Sequence, residues 1–540
     1  MDLLLINGNI RTIDSKNPIA EAVAIMGNKI QKVGSTEDVL ALKTDKTKVV
    51  DLGGKTVVPG FNDSHMHLLN YGYALMQADL NFVESIDEIN NRVSAYISTN
   101  DIEKGKWVRG RGWNHDYFSG EKRFPTRYDL DKISTEYPIA VTRTCGHAVT
   151  VNSKALEVLN INSSTPQVEG GHFDLDDNGE PLGIFRENAL GLVYDAIPTP
   201  SLEEVKKMII NAIKDLNKYG ITSVQTDDFQ ALPGNDYEII LKAYLELEEE
   251  GNLNVRVYEQ CLLPEIDNLK AFYKKGYMTG WGDDNFKIGP LKLLIDGSLG
   301  ARTAALNEPY NDDPSTSGII TATQEELNEL VRFAHNNDNQ IAIHGIGDRG
   351  MYMSFEAIEK ALVEKPRKNH RHGIVHAQIT DEYLLNKFEE LEAVAYIQPF
   401  FLDYDWKIVR DRVGEMREKT SYNWKTMLDK GIHAACGSDA PVDFFNVLNG
   451  IYEAVTRKDI HGKPEGGWLI DQALTVEQAL YGYTLEGAYT SFQEDLKGSI
   501  EAGKLADLIV LSQDIFSIPS DEIKDVVVEM TIFDGKILDK

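Results

Sequence analysis

One short segment of the chain carries the most information: Gly60-Phe61-Asn62-Asp63-Ser64-His65-Met66-His67. It closes an apolar pattern over residues 55–59 that is typical of a β-strand. Successive side chains of a strand point to opposite faces, so the pattern predicts that His65 and His67 project to the same side. Two imidazoles held in this way make half of a divalent-metal site. A lone His-x-His pair also fits ordinary buried or surface histidines, so the rest of the chain has to supply further ligands.

Size and charge limit the classes of protein to which the chain can belong. Its 540 residues are 42% hydrophobic and 26% charged, the composition of a globular protein with a sizeable core. The net charge of −30 would repel the phosphates of nucleic acid. We therefore expect a small-molecule substrate and no nucleic-acid partner, and the sequence leaves a homodimer open.

The cysteines and the amino-terminal residues indicate the compartment. Cys145, Cys261 and Cys436 are widely spaced, so they form neither a disulfide framework nor a Cys-x-x-Cys metal site, and a reducing compartment fits best. The apolar run at residues 3–6 is short and lacks a basic flank, unlike a signal peptide or a membrane span. We expect a cytoplasmic protein with no membrane partner.

The pattern of strands and helices predicts an α/β fold. Short strands with turn residues occupy both ends of the chain, and neither set is large enough for a core of its own. We predict that residues 1–59 and 490–540 form one small β-sandwich and that residues 60–489 form a (β/α)₈ TIM barrel. After the strand that precedes His65, the predicted barrel strands are residues 221–225, 255–258, 286–295, 341–344, 372–376, 394–397 and 432–436.

The connection that follows His67 is several times longer than a normal strand–helix connection. It contains pieces typical of strands and of helices. We predict an inserted subdomain over about residues 70–218, on the active face of the barrel, where it would act as a lid or a substrate wall.

Residues at the carboxyl ends of barrel strands point into the active site of such folds. Besides the pair on the first strand, these ends carry Lys292, His344, His376 and Asp439. Each has an ordinary structural explanation, such as a hydrogen-bonded core histidine or a turn-forming aspartate. Those explanations would have to hold independently at five strand ends, so a shared metal site is favoured.

The order His-x-His, Lys, His, His, Asp resembles the metal site of the amidohydrolase superfamily. Over essentially its whole length the chain is similar to the branch that contains N-substituted formamide deformylase. The motifs that carry the resemblance are residues 59–67 (PGFNDSHMH), 146–153 (GHAVTVNS), 291–300 (LKLLIDGSLG), 376–378 (HAQ), 437–441 (GSDAP) and 497–507 (KGSIEAGKLAD).

The resemblance implies a role for each strand-end residue. One or two divalent ions, with zinc as the expected metal, would be held by His65, His67, His344, His376 and Asp439. Lys292 would be carboxylated by carbon dioxide to a bridging ligand, which requires its neutral amine. Asp439 would also pass the proton of the attacking water to the leaving amine. Many relatives have an acid where this chain has Val375, so the residue that orients His376 is left open.

Other matches are weaker. Trp113, His115, His147, Asp296 and Arg302 are candidates for contact with the substrate, and a structural role fits each of them as well. We expect a metal-dependent hydrolase of a non-peptide carbon–nitrogen bond, with an N-acyl or N-formyl amine as substrate. One alternative is an N-acyl-D-amino-acid deacylase, which needs a cation such as Arg143 or Arg302 for the substrate carboxylate. The others are a catalytically inactive barrel scaffold and a lyase or deaminase on the same fold.

Overall fold

A computed structural model describes residues 1–143, 147–168 and 170–539, and within them eight parallel strands lie side by side in chain order. Buried apolar side chains dominate most of these strands, as expected where helices cover a parallel sheet. We number them barrel strands 1 to 8: Phe61–Met66, Ile221–Thr226, Arg256–Leu262, Phe286–Leu294, Ile341–Gly345, Gly373–His376, Val394–Ile397 and Ala434–Cys436.

The eighth strand meets the first at the carboxyl ends of the two strands. The backbone N–H of Asp439 donates to the carbonyl of His65 at 2.8 Å, and that of His67 donates to Ala440 at 2.7 Å. These bonds form the seam of the barrel. The predicted (β/α)₈ barrel with an additional β domain and an insertion is confirmed.

The prediction for the strand before His65 was wrong in one respect. Thr56–Pro59 belongs to a different sheet, where it pairs with Leu508–Leu511 and Asn9–Arg11. The chain changes sheets at Gly60, where a Cβ atom would lie 2.2 Å from the side chain of Thr222. Because only glycine allows that approach, barrel strand 1 begins at the next residue.

Helices alternate with the barrel strands and cover them. A capping box of Thr323 and Glu326 starts one of them, and Asp381 caps another. Their bounds are Tyr237–Glu249, Ile266–Lys274, Gln324–Asn336, Asp348–Glu364, Glu382–Glu390, Leu402–Asp405, Val409–Glu418, Trp424–Asp429, Val447–Thr456, Val476–Gly482 and Leu485–Thr490. In the described part of the chain, no helix combines the length and the apolar character that crossing a membrane requires.

Two further sheets contain strands from the chain ends. A six-stranded sheet orders Lys536–Ile537, Val528–Phe533, Leu508–Leu511, Thr56–Pro59, Asn9–Arg11 and Ile19–Ala20. A four-stranded sheet orders Lys29–Gly34, Ala22–Met26, Leu3–Ile6 and Lys48–Asp51. One apolar cluster joins them, with Leu5 and Val23 from one sheet and Leu508 and Ile532 from the other.

The chain divides into two compact units, Met1–Asn70 with Ile209–Lys540 and Tyr71–Met208. The second, which we call the inserted unit, has a six-stranded sheet in the order Gly171–Leu175, Pro181–Glu187, Ala148–Val151, Ile139–Arg143, Val108–Trp113 and Ala78–Asp79. Its helices include Ile86–Thr99 and Ser153–Leu159. Cys145 lies outside the described residues, while Cys261 and Cys436 are buried free thiols in the barrel.

Three buried histidines form a network near the amino ends of barrel strands 5 and 6. The Nδ1 atom of His372 accepts from the backbone N–H of Ile341, so its Nε2–H donates to His335 at 2.8 Å. His335 in turn donates to the carbonyl of Lys365, and the Nδ1 atom of His370 accepts from the backbone N–H of His372. Burial holds the pKa of His370 at about 4, so the network consists of neutral imidazoles.

Candidate metal centre

The centre is built around the histidine pair of barrel strand 1. The Nδ1–H of His65 donates to Oε1 of Gln260 at 2.7 Å, and Gln260 is fixed by donating its own amide to the carbonyl of Ser64. The Nδ1–H of His67 donates to the backbone carbonyl of Asp227 at 3.0 Å. These bonds occupy the Nδ1 atom of each ring, so Nε2 is the atom through which an unprotonated ring would bind a metal.

His376 ends barrel strand 6 and faces the same mouth. Its ring centroid lies 5.6 Å from that of His65. The Nδ1–H donates to Oε1 of Gln398 at 2.8 Å, and both side chains are buried. Gln398 is therefore the orienting partner that the sequence left open. The ring of Phe401 stacks against His376 at a centroid distance of 5.6 Å.

Asp439 lies in the loop after barrel strand 8, with its Oδ1 atom 3.3 Å from Nε2 of His65 and 3.1 Å from Nε2 of His67. Its φ angle is 60°, a left-handed conformation that the surrounding hydrogen bonds must hold. Asp63 provides this support, because its carboxylate accepts from the backbone N–H and the hydroxyl of Ser438 at 3.0 and 2.5 Å. It also accepts from the backbone N–H of His65 at 3.2 Å.

Three members of the group, His65, His376 and Asp439, already have the protonation state that a metal ligand needs. Burial lowers the pKa of His65 to about 4 and that of His376 well below its usual value, so both imidazoles are neutral. Burial opposes ionisation of Asp439, but the adjacent imidazoles of His65 and His67 outweigh it and hold the carboxyl pKa well below the usual range. Burial also disfavours the charged form of His67, but Asp439 raises the pKa of His67 to about 9. Metal ligands are neutral imidazoles and ionised carboxylates, so binding an ion here would displace a proton from His67.

These residues fit a divalent cation. Ligand atoms of His65, His376 and Asp439 all lie within 4.8 Å of one another. His67 adds a fourth donor through its contact with Asp439. Nitrogen and carboxylate oxygen donors in this ratio suit zinc and related transition metals.

Lys292 is buried on barrel strand 4, where its ammonium bonds Oδ2 of Asp227 at 3.0 Å. Asp227 follows barrel strand 2, and its Oδ1 atom is buried with no hydrogen-bond partner among the described residues. Asp227 therefore supports His67 through its backbone carbonyl and pairs with Lys292 through its carboxylate.

His344 ends barrel strand 5 with its ring 4.5 Å from that of His376. Its Nε2 atom lies 3.2 Å from the carbonyl of Gly297 and 3.3 Å from Oδ1 of Asp296. Asp296 accepts three backbone N–H groups, from Ala305, Ile346 and Gly347. The structure thus gives Asp296 the contacts of a residue that holds loops together, and His344 adjoins the main cluster from one side.

The remaining predicted residues already have partners. Arg302 binds Asp312 with two hydrogen bonds, at 3.1 and 2.9 Å. In the inserted unit, Trp113 is buried and donates to the carbonyl of Val141. His115 packs against Phe124 there. His147 is exposed and contacts Glu187.

Sequence reasoning missed the residues that support the ligands. Gln260 and Gln398 each lie on or directly after a barrel strand, but an uncharged amide carries no signal of its own. Asp63 lies two residues before the His-x-His motif, and Asp227 directly follows barrel strand 2. Reading the carboxyl end of every strand for acids would have found Asp227.

Comparison with known proteins adds independent findings. The model of the Amidohydrolase family matches residues 48–539. The protein YtcJ of Bacillus subtilis strain 168 is 33% identical over 533 residues, covering 98% of each chain. N-substituted formamide deformylase of Arthrobacter pascens is 26% identical over 563 residues, covering 99% of this chain and 97% of the enzyme.

A solved structure is similar over the same extent. The crystal structure of an uncharacterized metal-dependent hydrolase from Pyrococcus furiosus superposes with a TM-score of 0.77 at 30% identity. The superposition covers 95% of this chain and all of the other. Both units of the chain therefore fall within the region of similarity.

Proposed function

Since the chain belongs to the amidohydrolase family, we propose that it hydrolyses a non-peptide carbon–nitrogen bond, with an N-formyl or other N-acyl amine as substrate. Its membership in a family of metal-dependent hydrolases gives the reaction class. The similarity to a formamide deformylase supports the substrate class.

One observation carries the proposal: three imidazoles are held by their Nδ1 atoms and converge on one carboxylate. His65, His67 and His376 each donate the Nδ1 proton to an oxygen, so the Nε2 atoms are left for a ligand. Core histidines that serve the fold alone, such as His335, direct their second nitrogen to another histidine or a backbone carbonyl, whereas His65, His67 and His376 direct it to one carboxylate. This difference favours a metal centre over an inactive scaffold.

A divalent ion bound by these residues and Asp439 would supply Lewis-acid chemistry, acidifying water and polarising the scissile carbonyl. Asp439 would accept the proton of the attacking water. Its Oδ1 atom contacts both imidazoles of strand 1, which leaves Oδ2 for the proton. The same oxygen would then deliver the proton to the departing amine nitrogen. Asp63 would keep the carboxylate in place through Ser438.

The contacts of Lys292 support one principal ion. Binding of a second ion would require Lys292 to leave Asp227 and to become carboxylated. Zinc is the metal that we expect in either case. It would also require His344 to exchange its contact with Gly297 for a metal. Metal counting before and after bicarbonate addition tests this, with about one ion per chain expected without bicarbonate.

The experiment is a panel of N-formyl and N-acyl amines assayed for released acid and amine. Asp439→Asn should keep most of the bound metal and lose about 10²–10⁴ of kcat. Asp312→Asn, which changes an acid that pairs with Arg302, is the matched control and should remain active. Purified protein that neither holds metal nor takes up added zinc would refute the proposal.

The same panel separates the rivals. Turnover of N-acyl-D-amino acids in preference to uncharged amides would favour the deacylase, although Arg302 is already engaged by Asp312. Ammonia released without a carboxylic acid would indicate a deaminase. An unsaturated product would indicate a lyase.

A further inference from the structure

The end of barrel strand 2 holds the chain on both sides of His67. The backbone N–H of Asp227 donates to the carbonyl of Met66 at 3.0 Å, and the carbonyl of Asp227 accepts the Nδ1–H of His67 at 3.0 Å. Oδ1 of Asp228 accepts from the backbone N–H of Leu69 at 2.8 Å. The stretch from Met66 to Leu69 is therefore bonded at three points to two adjacent aspartates.

Asp228 is itself fixed by two elements of the barrel. The hydroxyl of Tyr244, on the helix Tyr237–Glu249, donates to Oδ2 of Asp228 at 2.5 Å. The backbone N–H of Asp228 donates to Oε1 of Glu259, on barrel strand 3, at 3.0 Å. All three residues are fully buried, with 0% of their surface exposed. Both carboxylate oxygens of Asp228 thus accept a hydrogen bond inside the protein, which is what makes a buried acid tolerable.

The anchoring of Asp228 bears on the metal centre through the residue before it. Asp227 contacts the centre twice, since its carbonyl accepts from His67 and its Oδ2 atom bonds Lys292 at 3.0 Å. A rotation of the peptide that joins Asp227 to Asp228 would move the carbonyl that His67 uses. The hydroxyl of Tyr244 is therefore connected to the imidazole of His67 through one carboxylate and one peptide.

We propose that Asp228 and Tyr244 are positioning residues of the metal centre, which fix the peptide after Asp227 and so orient His67 for the ion. They act through other residues and bind no metal themselves. Without the hydroxyl of Tyr244, the buried Oδ2 atom of Asp228 loses its donor, and the carboxylate would turn toward another one. The ring of His67 would then lose a fixed acceptor and bind an ion less well. This inference rests on the proposed function for the ion and the reaction.

The test compares Tyr244→Phe with the matched control Tyr258→Phe. Tyr258 is 1% exposed on barrel strand 3, and its hydroxyl donates to Oε1 of Gln340 at 2.9 Å, so each variant removes one hydroxyl and one buried hydrogen bond. Both should lower the unfolding temperature to a similar extent. Only Tyr244→Phe should lower the affinity for cobalt, by about ten-fold, and change the visible absorption of the cobalt-loaded protein, which reports its ligands.

Two changes at Asp228 examine the other end of the contact. Asp228→Ala removes the acceptor for Leu69 and for Tyr244, and it should lower cobalt affinity by about 10–100-fold. Asp228→Asn keeps an oxygen for Leu69 and gains an amide that can donate to the hydroxyl of Tyr244, so it should stay within about three-fold of the wild type.

Kinetics give a further readout. With an N-formyl amine as substrate, cobalt-saturated Tyr244→Phe should lose about ten-fold in kcat and keep KM within about two-fold, because the change acts on the ion's ligand. Tyr258→Phe should keep both constants.

The outcomes separate this inference from the proposed function. If Tyr244→Phe folds and matches the wild type in cobalt affinity and absorption, the positioning role is refuted and the proposed function stands. An equal loss of affinity in Tyr258→Phe would also overturn the role, because the effect would then be one of general stability.

If the wild-type protein binds no metal, the proposed function fails, and the metal-free protein decides the inference. The ¹⁵N-labelled imidazole of His67 gives an Nδ1–H signal that His67→Gln removes. This proton should exchange with water about ten-fold faster in Tyr244→Phe than in the wild type or in Tyr258→Phe. Equal exchange in all three proteins would overturn the positioning role.

Discussion

Replacing Gln398 by leucine should weaken metal binding without removing a metal ligand. Gln398 accepts the Nδ1–H of His376 at 2.8 Å, and both side chains are about 3% exposed. Leucine has a similar size and no acceptor, so the Nδ1–H would be left buried and unpaired. Coordination makes that proton more acidic, so the missing bond costs the metal-bound state more than the metal-free state.

The size of the effect follows from the burial. An unsatisfied buried donor costs about 1–3 kcal/mol, and loss of such outer partners lowers metal affinity by about 10–100-fold. The measurement is competition for zinc against a chromophoric chelator. Gln398→Glu keeps an acceptor for the same proton and should bind zinc at least as tightly as the wild type.

A matched control is Gln225→Leu. Gln225 is also buried, but its amide donates to Gly487 and Thr490. This change should lower the unfolding temperature and leave zinc affinity unchanged. If Gln398→Leu folds and binds zinc within about two-fold of the wild type, the orienting role of Gln398 is refuted.

Three further outcomes are expected. Burial holds the pKa of His370 at about 4, below the value of about 6.5 in the unfolded chain. Between about pH 6.5 and pH 4 the unfolded chain therefore binds more protons than the folded one, and the free energy of unfolding falls as the pH is lowered. At about pH 5 the buried His370 should lower the free energy of unfolding by about 2 kcal/mol relative to neutral pH. His370→Gln should therefore reduce the fall in the urea midpoint between neutral pH and about pH 5, and an unchanged fall would contradict this. Asp63→Ala should lower the free energy of unfolding by about 1–3 kcal/mol, because the backbone N–H of Ser438 loses its acceptor. It should also lower kcat, because Asp439 loses its support. Calorimetric melting measures the first effect and steady-state kinetics the second, and a wild-type kcat would refute the role of Asp63. Asp227→Asn should make Lys292 easier to carboxylate, because the ion pair that holds its ammonium is removed. Carboxylation would appear as a carbamate signal after addition of ¹³C-bicarbonate. If neither the variant nor the wild type gives this signal, Lys292 remains an ammonium and the prediction is wrong.

The sequence predicts the barrel well because its evidence is local and repeated. Each strand is a short apolar run, and the strand-end residues follow from the parallel topology alone. His376 and Asp439 could be placed at one mouth in this way, although each adopts a left-handed backbone conformation that no local pattern indicates.

Other features depend on contacts between distant segments. The apolar run at residues 55–59 looks the same whether it joins the barrel or the six-stranded sheet, and only the tight approach of Gly60 to Thr222 marks the change. Gln260 and Gln398 were missed because an amide becomes an orienting group only when a particular imidazole is placed beside it. The pairing of Lys292 with Asp227 requires the register of strands 2 and 4 across the barrel.

The seam of the barrel has a consequence for how the protein is made. His67 and Asp439 touch across it although 372 residues separate them in the chain. On a ribosome, the histidine pair emerges early, and its carboxylate partner follows only after almost the whole barrel has been synthesised. A nascent chain lacks that carboxylate until the last strand closes, so tight binding of a metal by these residues would report a finished barrel.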